Sequence, residues 1–216
     1  MNIVLIILAA GNATRFGENK QLYVLKNKKS ILQNTILCFK RISAITSLII
    51  TTPHPTQEQF ENEVSALALP FPFQCIPGGK TRFLSVKNAI DWVKQKNNPP
   101  THVMIHDGAR PFVDEILLNR LIKASQTHQG VVPGLPMVET IKQVINQQVI
   151  QTLNRDQVWR IQTPQLFDYQ TFKSCFNQPI SPNVTDDASI FEQLNLPIHV
   201  IKGDEKNIKI TTKNDI

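Results

Sequence analysis

The feature that most constrains this chain is a run of branched apolar residues near its start, Ile3-Val4-Leu5-Ile6-Ile7, which breaks at once into Leu8-Ala9-Ala10-Gly11 and a polar stretch reaching Arg15 and Lys20. A strand with no polar alternation is buried on both faces, as strands inside a parallel sheet are. The loop that follows then sits at the carboxyl edge of that sheet. Its small residues let backbone N–H groups approach an anion, and Arg15 and Lys20 supply positive charge. A tight turn carrying two solvated cations fits the same stretch equally well.

Spacing excludes two familiar phosphate loops. A P-loop needs Gly, four residues, then Gly-Lys-Ser/Thr; Gly11 and Gly17 are one residue too far apart, and Glu18 follows. A dinucleotide fingerprint needs Gly where Ala13 stands and again where Phe16 stands. An anion loop of another kind remains, with an Arg/Lys pair.

The 216 residues can bury one α/β core with a small excursion. The three cysteines, Cys38, Cys75 and Cys175, form no close pair, so reduced, buried thiols in a cytoplasmic protein are expected. The first apolar run is far too short to span a membrane, and neither a signal peptide nor an anchor is expected. A formal charge of +6 suits anionic partners, but the cations are scattered and do not alternate with aromatics. Small phosphorylated substrates fit this better than nucleic acid, and on charge alone a basic surface with no specific role fits as well.

Further along, the pattern predicts a helix over Ser30 to Phe39 with Ser30 as cap, a strand over Ile45 to Ile50, a helix near Gln57 to Val64 and a short strand around Phe73 to Ile76. Gly78-Gly79-Lys80-Thr81-Arg82 precedes Ser85, Val86, Ala89, Ile90 and Val93 at helical spacing, a second strand–turn–helix start whose N–H groups could meet a nucleotide, or else an ordinary turn with Thr81 or Ser85 as a simple cap. Val103 to Ile105 is a buried strand ending in His106-Asp107-Gly108-Ala109-Arg110-Pro111. Asp107 is there placed to hold Mg²⁺ against phosphates, or else to cap the helix beginning near Asp114. His106 has no second histidine at metal-ligand spacing and is expected to be a packed, hydrogen-bonding residue. The Glu115 to Thr127 helix leads to Gly130 through Pro136. The Thr140 to Leu153 stretch then reads as a hairpin turning at Asn146 to Gln148, an arm whose apolar residues call for a partner subunit. Gln162 to Gln165 is a turn, Thr185 to Leu194 opens as a helix, Ile198 to Ile201 is a strand, and Asn207 to Thr211 is a last short strand with Lys209 pointing outward.

Taken in order, these segments resemble the 2-C-methyl-D-erythritol 4-phosphate cytidylyltransferase family of the bacterial non-mevalonate isoprenoid pathway. The resemblance spans nearly the whole chain. It rests on Ala9-Ala10-Gly11 through Arg15 to Lys20-Gln21, Gly78-Gly79-Lys80-Thr81-Arg82 with Ser85-Val86, His106 to Pro111, Asn154-Arg155, Trp159, Gln162 to Gln165 and Asn207 to Thr211. It implies one α/β domain over 1–216, a doubly wound, mostly parallel sheet of the nucleotidyltransferase (Rossmann-like) type with a protruding β-hairpin arm at about 134–157 that makes a homodimer. It further implies CTP as co-substrate, Mg²⁺ as cofactor and diphosphate as by-product. By the same resemblance Arg15, Lys20 and Lys209 are catalytic, while Ala9, Ala10, Gly11, Gly79, Arg82 and Ser85 surround the nucleotide. Asp107 holds the metal and, with Arg110, Thr140, Arg155 and Thr185, addresses the phosphorylated polyol.

Four positions depart from the family pattern: Ala13 for Gly, Asn19 for Pro, Lys80 for a small or acidic residue, and Asn154 for Asp. The alternatives are a cytidylyltransferase for another polyol phosphate, such as ribitol 5-phosphate, and a non-catalytic nucleotide-binding protein of the same fold. Trp159 and the Gly-Gly-x-Thr-Arg form at Gly78 favour methylerythritol phosphate. Arg15, Lys20, Asp107 and Lys209 on four separate segments favour an enzyme, because a scaffold needs none of these charges together.

Overall fold

A computed structural model of the chain describes residues 1–11, 16 and 19–216. In chain order its strands are β1 (Ile3–Leu8), β2 (Ile45–Thr52), β3 (Phe73–Pro77), β4 (His102–Asp107), β5 (Gly130–Pro136), β6 (Lys142–Ile145), β7 (Gln148–Thr152), β8 (Trp159–Ile161), β9 (Gln165–Asp168) and β10 (His199–Lys202). The helices are α1 (Ile31–Leu37), α2 (Gln57–Ser65), α3 (Arg82–Lys94), α4 (Glu115–Ala124), α5 (Tyr169–Cys175) and α6 (Ala188–Gln193).

The main sheet runs β10-β5-β9-β4-β1-β2-β3, with β8 also paired to β5. β1 is parallel to both β2 and β4, and β10 is parallel to β5. Among the described strands of this sheet, β8 and β9 run against the others. The strand order reverses between β1 and β4, where connections leave toward opposite edges and a crevice opens above the carboxyl ends.

Alternate residues of each central strand feed two cores. Ile3, Leu5 and Ile7 face Leu32 and Ile36 of α1, Phe60 of α2, and Leu117 and Leu121 of α4. Val4 and Ile6 face Val86, Ile90 and Val93 of α3, Phe172 of α5 and Phe191 of α6. A strand covered on both faces has no place for a polar residue, which explains the uninterrupted apolar run; each such side chain contributes roughly 1.5–3 kcal/mol by leaving water.

Side chains cap the starts of α1, α3 and α4. Ser30 and Gln33 form a reciprocal capping box on α1, Thr81 accepts from Leu84 N–H on α3, and Asp114 accepts from Leu117 N–H on α4. Asp114, not Asp107, therefore caps α4, and Asp107 is left for other work.

β6 and β7 form a separate two-stranded hairpin whose residues are all exposed. Asn146 and Gln147 take φ of 48° and 64°, the left-handed pair that a two-residue hairpin turn requires. Gly134 to Pro136 belong to β5, so the arm departs from the sheet beyond them.

The last segment departs from expectation. Asn207 to Thr211 is not a strand. Its groups bond to loops instead: Asn207 Nδ2 donates to the Thr163 carbonyl, its own carbonyl accepts from Arg110 Nη1, and Ile210 N–H donates to the Ala109 carbonyl. Two antiparallel strands, β8 and β9, and the helix α5 are further elements that the sequence pattern did not announce: strands of 3 and 4 residues and a helix of 7 carry too little periodicity.

Candidate active site

The carboxyl ends of β1 and β4 meet in register at Leu8 and Asp107. Above them lies a cleft of about 640 Å³ that the loops after β1, β2, β3 and β4 enclose, within the range of small-molecule sites. Ala10, Gly11, Gly79, Ser85 and Lys20 line it, as do Thr52 and His54 at the end of β2. The loops close tightly because Gly78 has no side chain: a Cβ there would lie 2.2 Å from the Ala10 Cβ. Ser85 Oγ accepts from the Gly79 N–H at 3.0 Å, which fixes the glycine turn over the start of α3.

Asp107 is the focus of charge. Its Oδ1 lies 2.5 Å from Arg82 Nη1, while Oδ2 lies 2.8 Å from Lys209 Nζ and 3.5 Å from Arg110 Nε. Burial alone would raise the Asp107 carboxyl; Arg82 and Lys209 outweigh it and hold the group well below the usual carboxylate range. Lys209 keeps 42% of its side chain exposed, yet its Nζ turns back to Asp107, so it does not point outward as a strand position would have it. Asp187 at the start of α6 takes the other edge of Arg82, with Nη2 to Oδ2 at 2.5 Å and Nε to Oδ1 at 3.3 Å. Arg82, Arg110 and Lys209 thus face two carboxylates, leaving an excess of positive charge before Lys20 is counted.

The loop that presents Asp107 is locked from beneath. The Asp107 N–H donates to Thr163 Oγ1 at 3.0 Å, and Thr163 Oγ1 lies 3.0 Å from His106 Nδ1. His106 Nε2 lies 3.1 Å from the Arg110 carbonyl, an acceptor, so Nε2 carries the proton and Nδ1 accepts from the threonine hydroxyl. Burial pushes this imidazole down to about 4, and it stays neutral near pH 7.

Of the residues expected at the site, the structure brings Ala10, Gly11, Lys20, Gly79, Arg82, Ser85, Asp107 and Lys209 to one cleft. Arg110 sits at its edge through Asp107. Ala9 lies outside the lining, buried beneath it, and its N–H is already given to the Thr51 carbonyl at 3.0 Å. Arg82 gives one donor from each of its three nitrogens to the two carboxylates, which makes it a structural clamp in this arrangement as well as a lining residue. Thr140, Arg155 and Thr185 are exposed and do not line the cleft; Arg155 Nη1 donates to the Val138 carbonyl. Arg15 and Ala13 lie outside the described residues. Asp187, Thr163 and Gln21 carry site roles that the sequence did not single out. Gln21 is buried, lines the cleft, and has an Oε1 with no hydrogen-bond partner among the described residues. Among the described residues no cluster of three metal-ligating side chains is found, and Asp107 is the one carboxylate lining the cleft.

A doubly wound sheet, a glycine-lined cleft at its switch point and cations gathered there define a nucleotidyltransferase-type, phosphate-handling α/β protein. The 2-C-methyl-D-erythritol 4-phosphate cytidylyltransferase family model matches residues 3–216, and the chain belongs to that family. A family member from Dictyoglomus thermophilum is 36% identical over 219 residues, covering 99% of this chain and 93% of the relative. A bifunctional IspD/IspF enzyme from Bartonella tribocorum is likewise 36% identical, over 100% of this chain but 54% of its own length. Among solved structures, the 2-C-methyl-D-erythritol 4-phosphate cytidylyltransferase of Francisella tularensis superposes with a TM-score of 0.82 at 33% identity, covering 100% of this chain and 96% of that one. The 4-diphosphocytidyl-2C-methyl-D-erythritol synthase of Anaerococcus prevotii gives 0.83 at 27% identity, over 99% and 94%.

Proposed function

We propose that the cleft transfers CMP from CTP to 2-C-methyl-D-erythritol 4-phosphate, giving 4-diphosphocytidyl-2-C-methyl-D-erythritol and diphosphate. The observation that carries this reading is the grouping of Arg82, Arg110 and Lys209 about one carboxylate at the sheet's switch point, with Lys20 lining the same cleft. Such a cluster suits a polyphosphate rather than a neutral ligand.

In the transfer, an oxygen of the substrate phosphate attacks the α-phosphorus of CTP in line, the bond to the β,γ-diphosphate breaks, and diphosphate leaves. No protein nucleophile is required; alignment and neutralisation of phosphoryl charge are. Arg15 and Lys20 hold the triphosphate, and Lys209 meets the α-phosphate from the opposite side. Ala10, Gly11, Gly79 and Ser85 surround the nucleotide, with polar groups fixed to discriminate cytosine from uracil, which ring size alone does not separate. Arg110 and Asp107 orient the polyol phosphate.

Asp107 is the residue that would hold Mg²⁺. Its two oxygens offer about four acceptor sites, of which the three cations leave room for a further partner, and Mg²⁺ bound chiefly by substrate phosphates needs only one or two carboxylates. Bound there, the ion would neutralise charge on the phosphoryl oxygens.

The arm supports a homodimer. Val144, Ile145, Val149 and Ile150 are 52–60% exposed on a two-stranded hairpin with no core of its own. Paired with a second copy, it would carry Thr140 and Arg155 to the partner's polyol phosphate.

The test is diphosphate release with CTP and methylerythritol phosphate, with ribitol 5-phosphate and the other nucleotides as separate arms. Diphosphate should form with the first pair and cease on chelation. No product above background from folded protein with both substrates saturating overturns the reading; faster turnover of ribitol 5-phosphate reassigns the polyol.

A further inference from the structure

Asp187 has the environment of a residue kept for geometry rather than for stability. It is fully buried, and its carboxylate grips Arg82 through two bonds, Nη2 to Oδ2 at 2.5 Å and Nε to Oδ1 at 3.3 Å. A buried ion pair carries a desolvation cost that apolar side chains of similar volume would avoid, so its presence is poorly explained by stability. The backbone around Asp187 is fixed as well: its N–H and that of Ala188 both donate to Gln165 Oε1, at 3.1 and 2.9 Å. Gln165 begins β9, which pairs directly with β4, the strand that ends in Asp107. The frame holding Asp187 is therefore the same sheet that presents Asp107.

Arg82 lies between the two acids. With one edge of its guanidinium held by Asp187, the remaining Nη1 is aimed at Asp107 Oδ1, 2.5 Å away. A planar fork bound at both edges cannot rotate, unlike a lysine in the same place. Asp107 Oδ2 then faces Lys209 Nζ at 2.8 Å. The order is Asp187, Arg82, Asp107, Lys209, running from the buried interior to the cleft.

We propose that Asp187 is a positioning residue of the transfer reaction. Held at the start of α6 and bonded to Gln165 of β9, it orients Arg82, and through Arg82 it sets where Asp107 and Lys209 stand against the reacting phosphates. This rests on the assignment of Asp107 and Lys209 to the reacting end of the cleft made above. It also gives Arg82 a second task beside lining the nucleotide cleft: one donor from each of its nitrogens is committed to Asp187 or Asp107.

The experiment is a double-mutant cycle read in steady-state turnover of full-length protein with CTP and methylerythritol phosphate. Asp187→Asn keeps the volume and removes the charge. It should lower kcat by on the order of 10- to 10²-fold, the scale of a misaligned reacting group, and change KM for CTP by no more than about threefold. Adding Asp187→Asn to Arg82→Met should cost no more than about twofold beyond Arg82→Met alone, because the path through Arg82 is already cut. Arg82→Met leaves Asp187 buried without a partner, so Arg82→Lys, which retains the charge and loses the fork, is run as a second background with the same expectation. Thermal unfolding of each variant accompanies the kinetics. Wild-type kcat in Asp187→Asn overturns the proposal, as do losses that multiply in both backgrounds, or a lowered melting temperature with unchanged kcat per folded molecule. Lys209→Ala is the control on the underlying assignment. Wild-type turnover in that variant means the site assignment fails; a slow Lys209→Ala beside a fast Asp187→Asn means the positioning role alone fails.

Discussion

Lys20 Nζ donates to the carbonyl oxygen of Ile210 at 2.9 Å, joining residues 190 positions apart. Ile210 is buried against Phe16 and Ile31, so the segment carrying Lys209 is anchored on the same small cluster as the loop that leads to Lys20. Two cations that enter the cleft from opposite ends of the chain thereby share one support.

In the transfer proposed above Lys20 meets charge that grows during the reaction, so its removal should tell on turnover more than on affinity. Lys20→Ala is expected to lower kcat on the order of 10²-fold, with a smaller change in KM for CTP. Steady-state kinetics with each substrate varied in turn measure this. An unchanged kcat reduces Lys20 to a tether for Ile210 and leaves the charge to Arg15 and Lys209.

If the arm serves a neighbouring subunit, Arg155 and Lys20 belong to sites of different composition. Arg155→Ala should weaken polyol phosphate binding more than CTP binding, since one charge-assisted contact is lost. Mixing Lys20→Ala and Arg155→Ala proteins after dissociation and random reassociation should restore roughly a quarter of wild-type activity. About half of the dimers are then mixed, and each has one site with both residues intact. No recovery, with mixed dimers demonstrated by mass, rejects the shared site.

His106 makes stability depend on pH in a defined window. Its folded value is about 4 against an ordinary 6.5, so between these limits the unfolded chain takes up a proton that the folded chain refuses. Stability should therefore fall as pH is lowered through this range, by about 3 kcal/mol in all. Asp107 acts at lower pH: its carboxyl is depressed, so its contribution is present above the ordinary carboxylate range and is lost only on further acidification. Urea unfolding at pH 7, 5.5 and 4.5, on wild type and on His106→Asn, isolates the histidine's share. Equal pH slopes in the two proteins would falsify this account.

Gly78 and Ala10 form a steric pair. Gly78→Ala brings a Cβ to 2.2 Å from the Ala10 Cβ and 3.2 Å from Ser85 Oγ, so the loops after β1 and β3 must part. An overpacking cost of about 1–3 kcal/mol is expected, together with a higher KM for CTP. Ala10→Gly removes the first clash and should recover most of both losses in the double variant. A double variant no better than Gly78→Ala alone means that Ser85 Oγ, not Ala10, is the obstacle.

The sequence by itself determined those features whose cause lies within a few residues. The apolar run of β1 required burial on both faces, Ser30 with Gln33 and Thr81 wrote their own helix starts, and Asn146-Gln147 turned a hairpin. Ordered motifs brought Lys20, Gly79, Ser85, Asp107 and Lys209 together as candidates, and the cleft contains all of them. Only the tertiary structure decided how those charges are shared. From one short stretch the family pattern singles out Thr185, which is exposed, while Asp187 two residues on is buried against Arg82. Asn207 to Thr211 has the alternation of a strand yet bonds to Thr163, Arg110 and Ala109 on loops. The short strands β8 and β9 exist because β4 and β5 offer them edges. Caps and periodicity are local energies that a sequence window contains. The direction of a guanidinium and the partner of an edge strand depend on which distant segments the closed sheet has already brought within hydrogen-bonding reach.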